Sequence, residues 1–244
     1  MSHTRILVAH GTRRPEGLRV ISDLAAALSD RVGEVLTAFV DVLGPNPREL
    51  LAGVTGPAIL VPAFLASGYH VNTDLPARVC ESGHRAATIT AALGPDPVIA
   101  EVMLARLREA GWVPGDAVVM AAAGSSDPAA HRDLQIAAGL LADLVGEVHL
   151  GFVATGEPRV ADVVAGLRRN GGRVFVASYL LAPGIFHTRL HDSGADAVAA
   201  PLGAHPMLVE LLAARFTDST GLVGRLTGDC RTAPEPSVSA AYRG

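Results

Sequence analysis

Two histidines and an aspartate follow the first three apolar segments of this 244-residue sequence. His10 comes directly after Ile6-Leu7-Val8-Ala9, Asp41 ends the second segment, and His70 lies a few residues beyond the third. Imidazole and carboxylate groups together suit borderline divalent ions such as Fe²⁺, Co²⁺, Ni²⁺ and Zn²⁺. If the segments are adjacent parallel strands, their carboxyl ends meet at one edge of the sheet, where open α/β sheets bind ligands. The sequence therefore predicts a metal site of His10, Asp41 and His70.

Each of these residues also has a simpler interpretation. A single histidine at a strand end is more often a hydrogen-bonded surface residue than a metal ligand. An aspartate in such a position commonly caps a turn or a helix. A comparison within the chain itself helps to decide between these alternatives.

The chain consists of two similar halves. Gly33-Glu34-Val35 recurs 113 residues later as Gly146-Glu147-Val148, and the turn 10–15 recurs at the same offset. Near the end of each half, Leu93-Gly94-Pro95 matches Leu202-Gly203-Ala204 at an offset of 109. Ordered matches at a nearly constant offset indicate that one structural unit is duplicated.

The second half lacks two of the three proposed metal ligands. Ala123 stands at the position equivalent to His10, and Ala154 stands at the position equivalent to Asp41. Because alanine is tolerated at both positions, the fold itself does not require a histidine or an aspartate there. The comparison favours a functional role for His10 and Asp41 in the first half.

Further polar residues surround these positions. The motif that carries His70 recurs with two extra residues and ends at His187, which either serves the site from across a cleft or is a residual copy. The turns 11–13 and 124–126 precede predicted helices, so their amides and hydroxyls favour either an anionic ligand or ordinary helix capping. Nearby arginines offer charge for an acidic ligand. The predicted substrate-binding residues are Arg13, Arg14, Ser125, Ser126, His187 and Arg189, with Arg78 as a further flanking arginine.

Each half alternates strands with helices. Short, nearly continuous apolar runs are typical of parallel strands that are buried on both faces. Such runs predict strands near residues 5–9, 35–41, 57–62, 86–90, 117–121, 148–153, 173–178 and 196–200. Helices of the first half are predicted near residues 15–31, 47–53, 73–82 and 97–110.

This alternation predicts an α/β fold of two tandem α/β/α sandwiches with four-stranded parallel sheets. A pseudo-twofold axis would relate the two sandwiches around a cleft. We expect residues 1–114 to form the domain with the metal site, residues 115–217 to form its repeat, and residues 218–244 to be a flexible tail.

Composition and charge argue against several functions. The net charge of −4 lacks the basic footprint of a nucleic-acid-binding protein. All 20 basic residues are arginines, so a catalytic lysine is excluded. No stretch reaches the ~18 apolar residues of a membrane span, and the N-terminus lacks the features of a signal peptide. We therefore expect a cytoplasmic protein that contacts neither nucleic acid nor membrane.

Three motifs resemble those of the sirohydrochlorin chelatase family. They are Leu7-Val8-Ala9-His10-Gly11-Thr12-Arg13, the segment from Val61-Pro62-Ala63-Phe64-Leu65 to Gly68-Tyr69-His70, and the segment 179–187. The resemblance covers roughly residues 4 to 217 and is to the long form, in which two units are fused. It implies a double α/β sandwich and a lyase that inserts Fe²⁺ or Co²⁺ into sirohydrochlorin without ATP. No permanently bound cofactor is implied.

The resemblance also assigns roles to residues. The paired active-site histidines of the family carry over to His10 and His70. An acidic residue at the end of the second strand, often glutamate, carries over to Asp41, whose shorter side chain leaves direct contact with the metal open. Short members are homodimers of one unit, so a fused chain is expected to be a monomer. Iron insertion for siroheme is the preferred hypothesis, and cobalt insertion for cobalamin and a non-catalytic tetrapyrrole or metal carrier are the alternatives.

Overall fold

The computed structural model describes residues 3–217 and 222–225 of the chain. The strands are β1 (Thr4–Ala9), β2 (Val35–Phe39), β3 (Ala58–Pro62), β4 (Ala87–Thr90), β5 (Ala117–Gly124), β6 (Val148–Thr155), β7 (Val174–Tyr179), β8 (Ala197–Val198) and β9 (Leu222–Arg225). The helices are α1 (Pro15–Val32), α2 (Pro47–Leu51), α3 (Leu75–Glu81), α4 (Pro97–Glu109), α5 (Pro128–Val145), α6 (Val160–Arg168), α7 (Ile185–Leu190) and α8 (Pro206–Thr217). Within the described residues, no helix is both long and apolar enough to cross a membrane.

The strands form two sheets with the same topology. The first sheet has the parallel order β2-β1-β3-β4, and the second has the parallel order β6-β5-β7-β8. The α/β fold with four parallel strands in each half is therefore confirmed. The chain passes from the first sheet to the second between α4 and β5, close to the predicted boundary at residues 114 and 115.

One strand differs from the expectation for the C-terminal segment. Strand β9 pairs antiparallel with β4 and extends the first sheet to five strands. It occupies four residues of the segment 218–244, for which a flexible tail is predicted. The physical reason is the open edge of β4, which offers unpaired backbone groups to any following segment. The rest of the predicted tail lies outside the described residues.

A single apolar core joins the two halves. Side chains alternate along a strand, so Ile6 and Val8 on β1 face an outer layer that contains α2 and α3. Leu7 and Ala9 face an inner layer, in which α1 and α4 pack against α5 and α8 of the second half. The outer layer of the second sheet contains α6 and α7. The shared inner layer holds the two sandwiches in a defined relation.

The order of the strands reverses at β1. The chain leaves β1 to form β2 on one side and then crosses to form β3 on the other side. In open α/β sheets this reversal opens a crevice at the carboxyl ends of the strands. The residues that follow β1 and β3 therefore lie where the fold favours ligand binding.

A glycine turn follows the first strand of each half. Gly11 has a φ of +95°, and Gly124 has a φ of +90°. A Cβ atom on Gly11 would overlap the carbonyl oxygen of Asp41, and one on Gly124 would overlap that of Thr155. The pairing of β5 with β6 shifts register just before Gly124, so that Thr155, not Ala154, is the counterpart of Asp41 at this turn. Neither Thr155 nor Ala154 carries a carboxylate. The second half therefore still lacks an acidic residue at the position of Asp41.

Candidate metal centre

His10 and His70 lie beside each other at the carboxyl ends of β1 and β3. Their ring centroids are 4.8 Å apart, and the ring planes meet at 82°. His70 begins a short π-helix (His70–Asp74) that leads into α3. Phe64 packs near both rings, at centroid distances of 6.4 Å from His10 and 6.2 Å from His70. Residues that are 60 positions apart in the sequence therefore form one compact pair.

The hydrogen bonds of the two rings indicate which nitrogen atoms are available. His10 donates from Nδ1 to the carbonyl oxygen of Gly11 over 3.3 Å. His70 donates from Nδ1 to Oδ2 of Asp74, also over 3.3 Å. A neutral imidazole that donates from Nδ1 carries its lone pair on Nε2. Both histidines can therefore offer Nε2 to a metal ion.

The distance between the His10 and His70 rings agrees with coordination of one shared metal ion. A metal–imidazole bond of about 2.1 Å places the ion ~3.2 Å from the ring centroid. Two such rings with centroids 4.8 Å apart enclose an angle of about 100° at the ion, by this same bond length. That angle lies between the octahedral and tetrahedral values. The centroid separation is therefore compatible with two imidazole ligands of one divalent ion.

Asp74 is a member of the site that the sequence analysis missed. Its carboxylate accepts from Nδ1 of His70 and, over 2.8 Å, from Nε of Arg78. Burial raises the pKa of Asp74, but the hydrogen bonds from His70 and Arg78 outweigh it and hold the pKa below its usual value. The signal was present in the spacing of four residues between each pair, which places all three on one helical face. The sequence suggested that Arg78 would pair with an acidic ligand. In the structure it pairs with Asp74 instead.

The structure does not bring Asp41 into the same cluster. Its Oδ1 accepts from the backbone N–H of Val42 over 2.7 Å, and Val42 has a left-handed φ of +67°. Among residues 3–217 and 222–225, no three histidine, cysteine, aspartate or glutamate side chains converge on one point. Of the three predicted ligands, the two histidines come together, and the carboxylate of Asp41 instead accepts from the N–H of the next residue, Val42.

The surroundings of His10 favour its neutral form. Although part of the side chain reaches solvent, the protein packed around the ring lowers its pKa, and the neighbouring His70 lowers it further. The hydrogen bond to Gly11 and the charges of Asp41 and Asp74 raise the pKa but do not outweigh these effects. A neutral imidazole is the form that binds metal. His10 is therefore ready to act as a ligand at neutral pH.

The second half holds the segment 63–69, which we call the His70 loop. The hydroxyl of Tyr179 donates to the carbonyl oxygen of Leu65 over 2.7 Å. The carboxylate of Asp133 accepts from the N–H of Ser67, also over 2.7 Å. Tyr179 is 2% exposed, so this hydrogen bond is protected from water. Two residues that the sequence analysis did not single out therefore position the loop from the opposite half.

The turn that contains Ser125 and Ser126 faces the His70 loop. A Cβ atom on Gly68 would lie 3.9 Å from the Ser125 hydroxyl. That hydroxyl accepts from the N–H of Asp127, which in turn caps α5 by accepting from Ala129. The helix cap is therefore Asp127, the residue after this turn, and Ser125 supports it, while binding of a ligand by Ser125 and Ser126 stays a prediction. The turn lies against Gly68, two residues before His70.

The remaining predicted residues are dispersed. Arg13 and Arg14 are exposed at the start of α1 and form no ion pair with another described residue. Arg189 lines a pocket of about 260 Å³ together with Phe152 and Asp192, on the outer face of the second half. His187 packs against another histidine of its own half. Neither Arg189 nor His187 contacts the His10 and His70 rings in the described part of the chain.

Proteins with related sequences share both halves of this chain or one of them. The CbiX family model matches residues 4–110 and 117–219. A curated sirohydrochlorin ferrochelatase of Priestia megaterium is 27% identical over 235 residues, which cover 85% of this chain and 86% of the relative. A sirohydrochlorin cobaltochelatase of Methanosarcina acetivorans is 28% identical over 122 residues, which cover 43% of this chain and 94% of the relative.

Solved structures have the same fold. SirB from Bacillus subtilis with Fe³⁺ has a TM-score of 0.77 at 21% identity, and the match covers 89% of this chain and 95% of that one. A structure of CbiX, described as the terminal enzyme for biosynthesis of siroheme in denitrifying bacteria, has a TM-score of 0.66 at 20% identity, covering 88% and 98% of the two chains. Because the family model matches almost all of both halves, this chain belongs to the CbiX family.

Proposed function

We propose that this protein inserts Fe²⁺ into sirohydrochlorin without ATP, with His10 and His70 as the residues that hold the metal. The observation that carries the proposal is the geometry of the pair. Both rings keep the Nε2 lone pair, and their 4.8 Å separation suits two ligands of one ion. Their place at the reversal of the strand order agrees with a ligand site.

The chemistry of metal insertion suits such a pair. The ion arrives with bound water, and His10 and His70 replace two water molecules as they take it up. The ring nitrogens of the tetrapyrrole then replace the imidazoles, and the macrocycle loses two N–H protons for each divalent ion that it gains. The imidazole nitrogens freed in this exchange are positioned to accept those protons. Because its pKa is lowered, His10 passes its proton readily to solvent.

Charged residues near the pair have separate roles in the proposal. Asp41 lies close enough to raise the pKa of His10, and its negative charge offsets that of the incoming ion without direct coordination. Arg13 and Arg14 are available to pair with substrate carboxylates because they are exposed and have no acidic partner among the described residues. Ser125 and Ser126 supply the opposite wall. With a net charge of −4, attraction of an acidic tetrapyrrole rests on such local arginines.

The choice of iron over cobalt is supported by the relatives that align along both halves of this chain, which are ferrochelatases. The ferrochelatase of Priestia megaterium aligns along 85% of this chain, whereas the shorter cobaltochelatase of Methanosarcina acetivorans aligns along 43% of this chain, which is 94% of its own length. Histidine ligands alone do not separate the two metals, since availability and geometry decide between them. The assay must therefore include both ions.

The test is anaerobic mixing of the purified protein with sirohydrochlorin and either Fe²⁺ or Co²⁺, followed by absorbance. We expect acceleration over the spontaneous reaction, larger with Fe²⁺. His10→Ala and His70→Ala should abolish it, and the matched control His149→Ala, a histidine paired with Glu147 away from the site, should not. Wild-type rates in both active-site variants would overturn the assignment. Tight binding of the tetrapyrrole without any acceleration would favour a carrier.

A single chain is proposed to be sufficient for this activity. The two halves share the inner apolar layer, and the second half already holds the His70 loop of the first. One chain therefore supplies both walls of the site. Light scattering on the active sample measures the mass, and activity confined to a dimeric fraction would contradict the proposal.

A further inference from the structure

A second pair of histidines lies in the second half. His187 belongs to α7, and His191 follows one helical turn later, where a short 3₁₀ helix (His191–Ser193) begins. Their ring centroids are 5.0 Å apart, with the planes at 85°. These values nearly repeat the 4.8 Å and 82° of the pair formed by His10 and His70. The second pair therefore has nearly the same ring arrangement as the first.

The orientation of His187 is held by a backbone contact. Its Nε2 donates over 3.3 Å to the carbonyl oxygen of Ala199, a residue that is fully buried beyond β8. A ring that donates from Nε2 keeps its lone pair on Nδ1. Histidines that bind metals almost always donate their second ring nitrogen to a carbonyl or carboxylate in this way. Burial and the nearby His191 also lower the pKa of His187, although the bond to Ala199 raises it.

We propose that His187 and His191 form a second binding site for a divalent first-row cation, separate from the pair formed by His10 and His70. Histidines four residues apart on a helix lie on one face, and this spacing recurs in protein zinc sites. With metal–nitrogen bonds of about 2.1 Å, the 5.0 Å separation corresponds to an angle of roughly 100° at a shared ion. Water completes the coordination sphere.

The duplication explains how this pair arose from the same framework. His187 is the repeat counterpart of His70, but the counterpart of His10 is Ala123. His187 therefore has no histidine partner at the end of the neighbouring strand. His191 takes its place along the helix. The first half thus pairs histidines from two strand ends, and the second half pairs them on one helix. Each half keeps two imidazoles at nearly the same separation.

The experiment counts the metal equivalents bound by the intact protein. Calorimetric titration with Co²⁺ under anaerobic conditions, with the visible absorbance of bound Co²⁺ as a second readout, should show two equivalents for the wild type. His191→Ala should bind one, because it removes one ligand and leaves the contact of His187 with Ala199. The double variant His10→Ala/His70→Ala should also bind one. His149→Ala should bind two. Thermal melting verifies that each variant is folded.

A wild type that binds one equivalent, lost on changing His10 and His70, would overturn the proposal. Retention of the second equivalent by His191→Ala would overturn it as well. The count does not depend on sirohydrochlorin or on turnover. A protein that fails to metallate the tetrapyrrole can still bind two cobalt ions, so failure of the proposed function and failure of this inference are distinguishable.

Discussion

Replacement of Asp74 by asparagine should weaken the metal centre while leaving its shape unchanged. In the native protein the carboxylate accepts from both His70 and Arg78. The guanidinium of Arg78 can only donate, so it should take the oxygen of the new amide. The NH₂ group of the amide then faces Nδ1 of His70, which must accept. The proton of the imidazole moves to Nε2, and the lone pair that should bind the metal is lost.

The size of the effect follows from the position of Asp74. Its side chain is 14% exposed, so water cannot easily replace either hydrogen bond. Changes to residues that orient a metal-binding histidine typically reduce affinity or activity by about 10–100-fold. Because the asparagine variant selects the wrong tautomer rather than only loosening the ring, we expect the upper end, ~100-fold or about 2.7 kcal/mol.

The assay is the initial rate of sirohydrochlorin metallation as a function of Fe²⁺ concentration and pH. The KM for the metal should rise. The charge of Asp74 normally raises the pKa of His10, so its removal lowers that pKa further. The acid limb of the rate profile should therefore move to lower pH even as the rate falls. A merely structural defect would not produce this shift.

Two variants serve as controls. Asp96→Asn removes a carboxylate that also pairs with an arginine, Arg215, but that caps α4 away from the histidines. It should leave the KM for Fe²⁺ unchanged. Adding Arg78→Met to Asp74→Asn frees the amide to turn its oxygen toward the imidazole, so activity should partly return. If Asp74→Asn behaves like Asp96→Asn, the role assigned to Asp74 is wrong.

Three further outcomes are expected. Gly11→Ala should lower the melting temperature more than Gly83→Ala. Both glycines have positive φ, but only at Gly11 does a Cβ atom overlap a neighbouring carbonyl oxygen. Equal decreases in melting temperature would mean that backbone strain is the sole cause. Tyr179→Phe removes the donor to Leu65 and should cost about 1–3 kcal/mol of unfolding free energy in denaturant titration; an unchanged value would contradict the hydrogen bond. Metal affinity, measured by Co²⁺ titration, should fall on acidification with a midpoint below the ordinary histidine value of 6.5, because the pKa of His10 is lowered; a midpoint above 6.5 would disagree with that direction.

The local sequence pattern was sufficient to predict the fold and the pair of His10 and His70. Buried parallel strands are continuous apolar runs, so their ends are visible in the sequence, and His10 follows such an end directly. The duplication added an independent comparison at His10, although the register shift near Gly124 moved the counterpart of Asp41 by one residue. Such a shift is a local change in backbone conformation that leaves no insertion in the sequence.

The features of the site that were not predicted depend on contacts between residues far apart in the sequence or on the conformation of a single side chain. Tyr179 reaches a carbonyl 114 residues away, and Asp133 reaches an amide 66 residues away. The orientation of Asp41 depends on a single rotamer that favours the next backbone N–H over the metal centre. Asp74 differs from these, because its spacing from His70 was visible, but only once the segment is known to be helical.

The two halves contribute different groups to the site around His10 and His70. The proposed ligands His10 and His70 lie in the first half, whereas Asp133 and Tyr179, which hold the His70 loop, lie in the second. By the offset of 113 residues, Asp133 of α5 corresponds to Val20 of α1. By the register of the sheets, Tyr179 corresponds to Ala63. The side chains of Val20 and Ala63 cannot form the equivalent hydrogen bonds, so the first half does not hold the loop after β7 in the same way. The proposed site therefore takes its histidines from one half and the hydrogen bonds that hold its loop from the other.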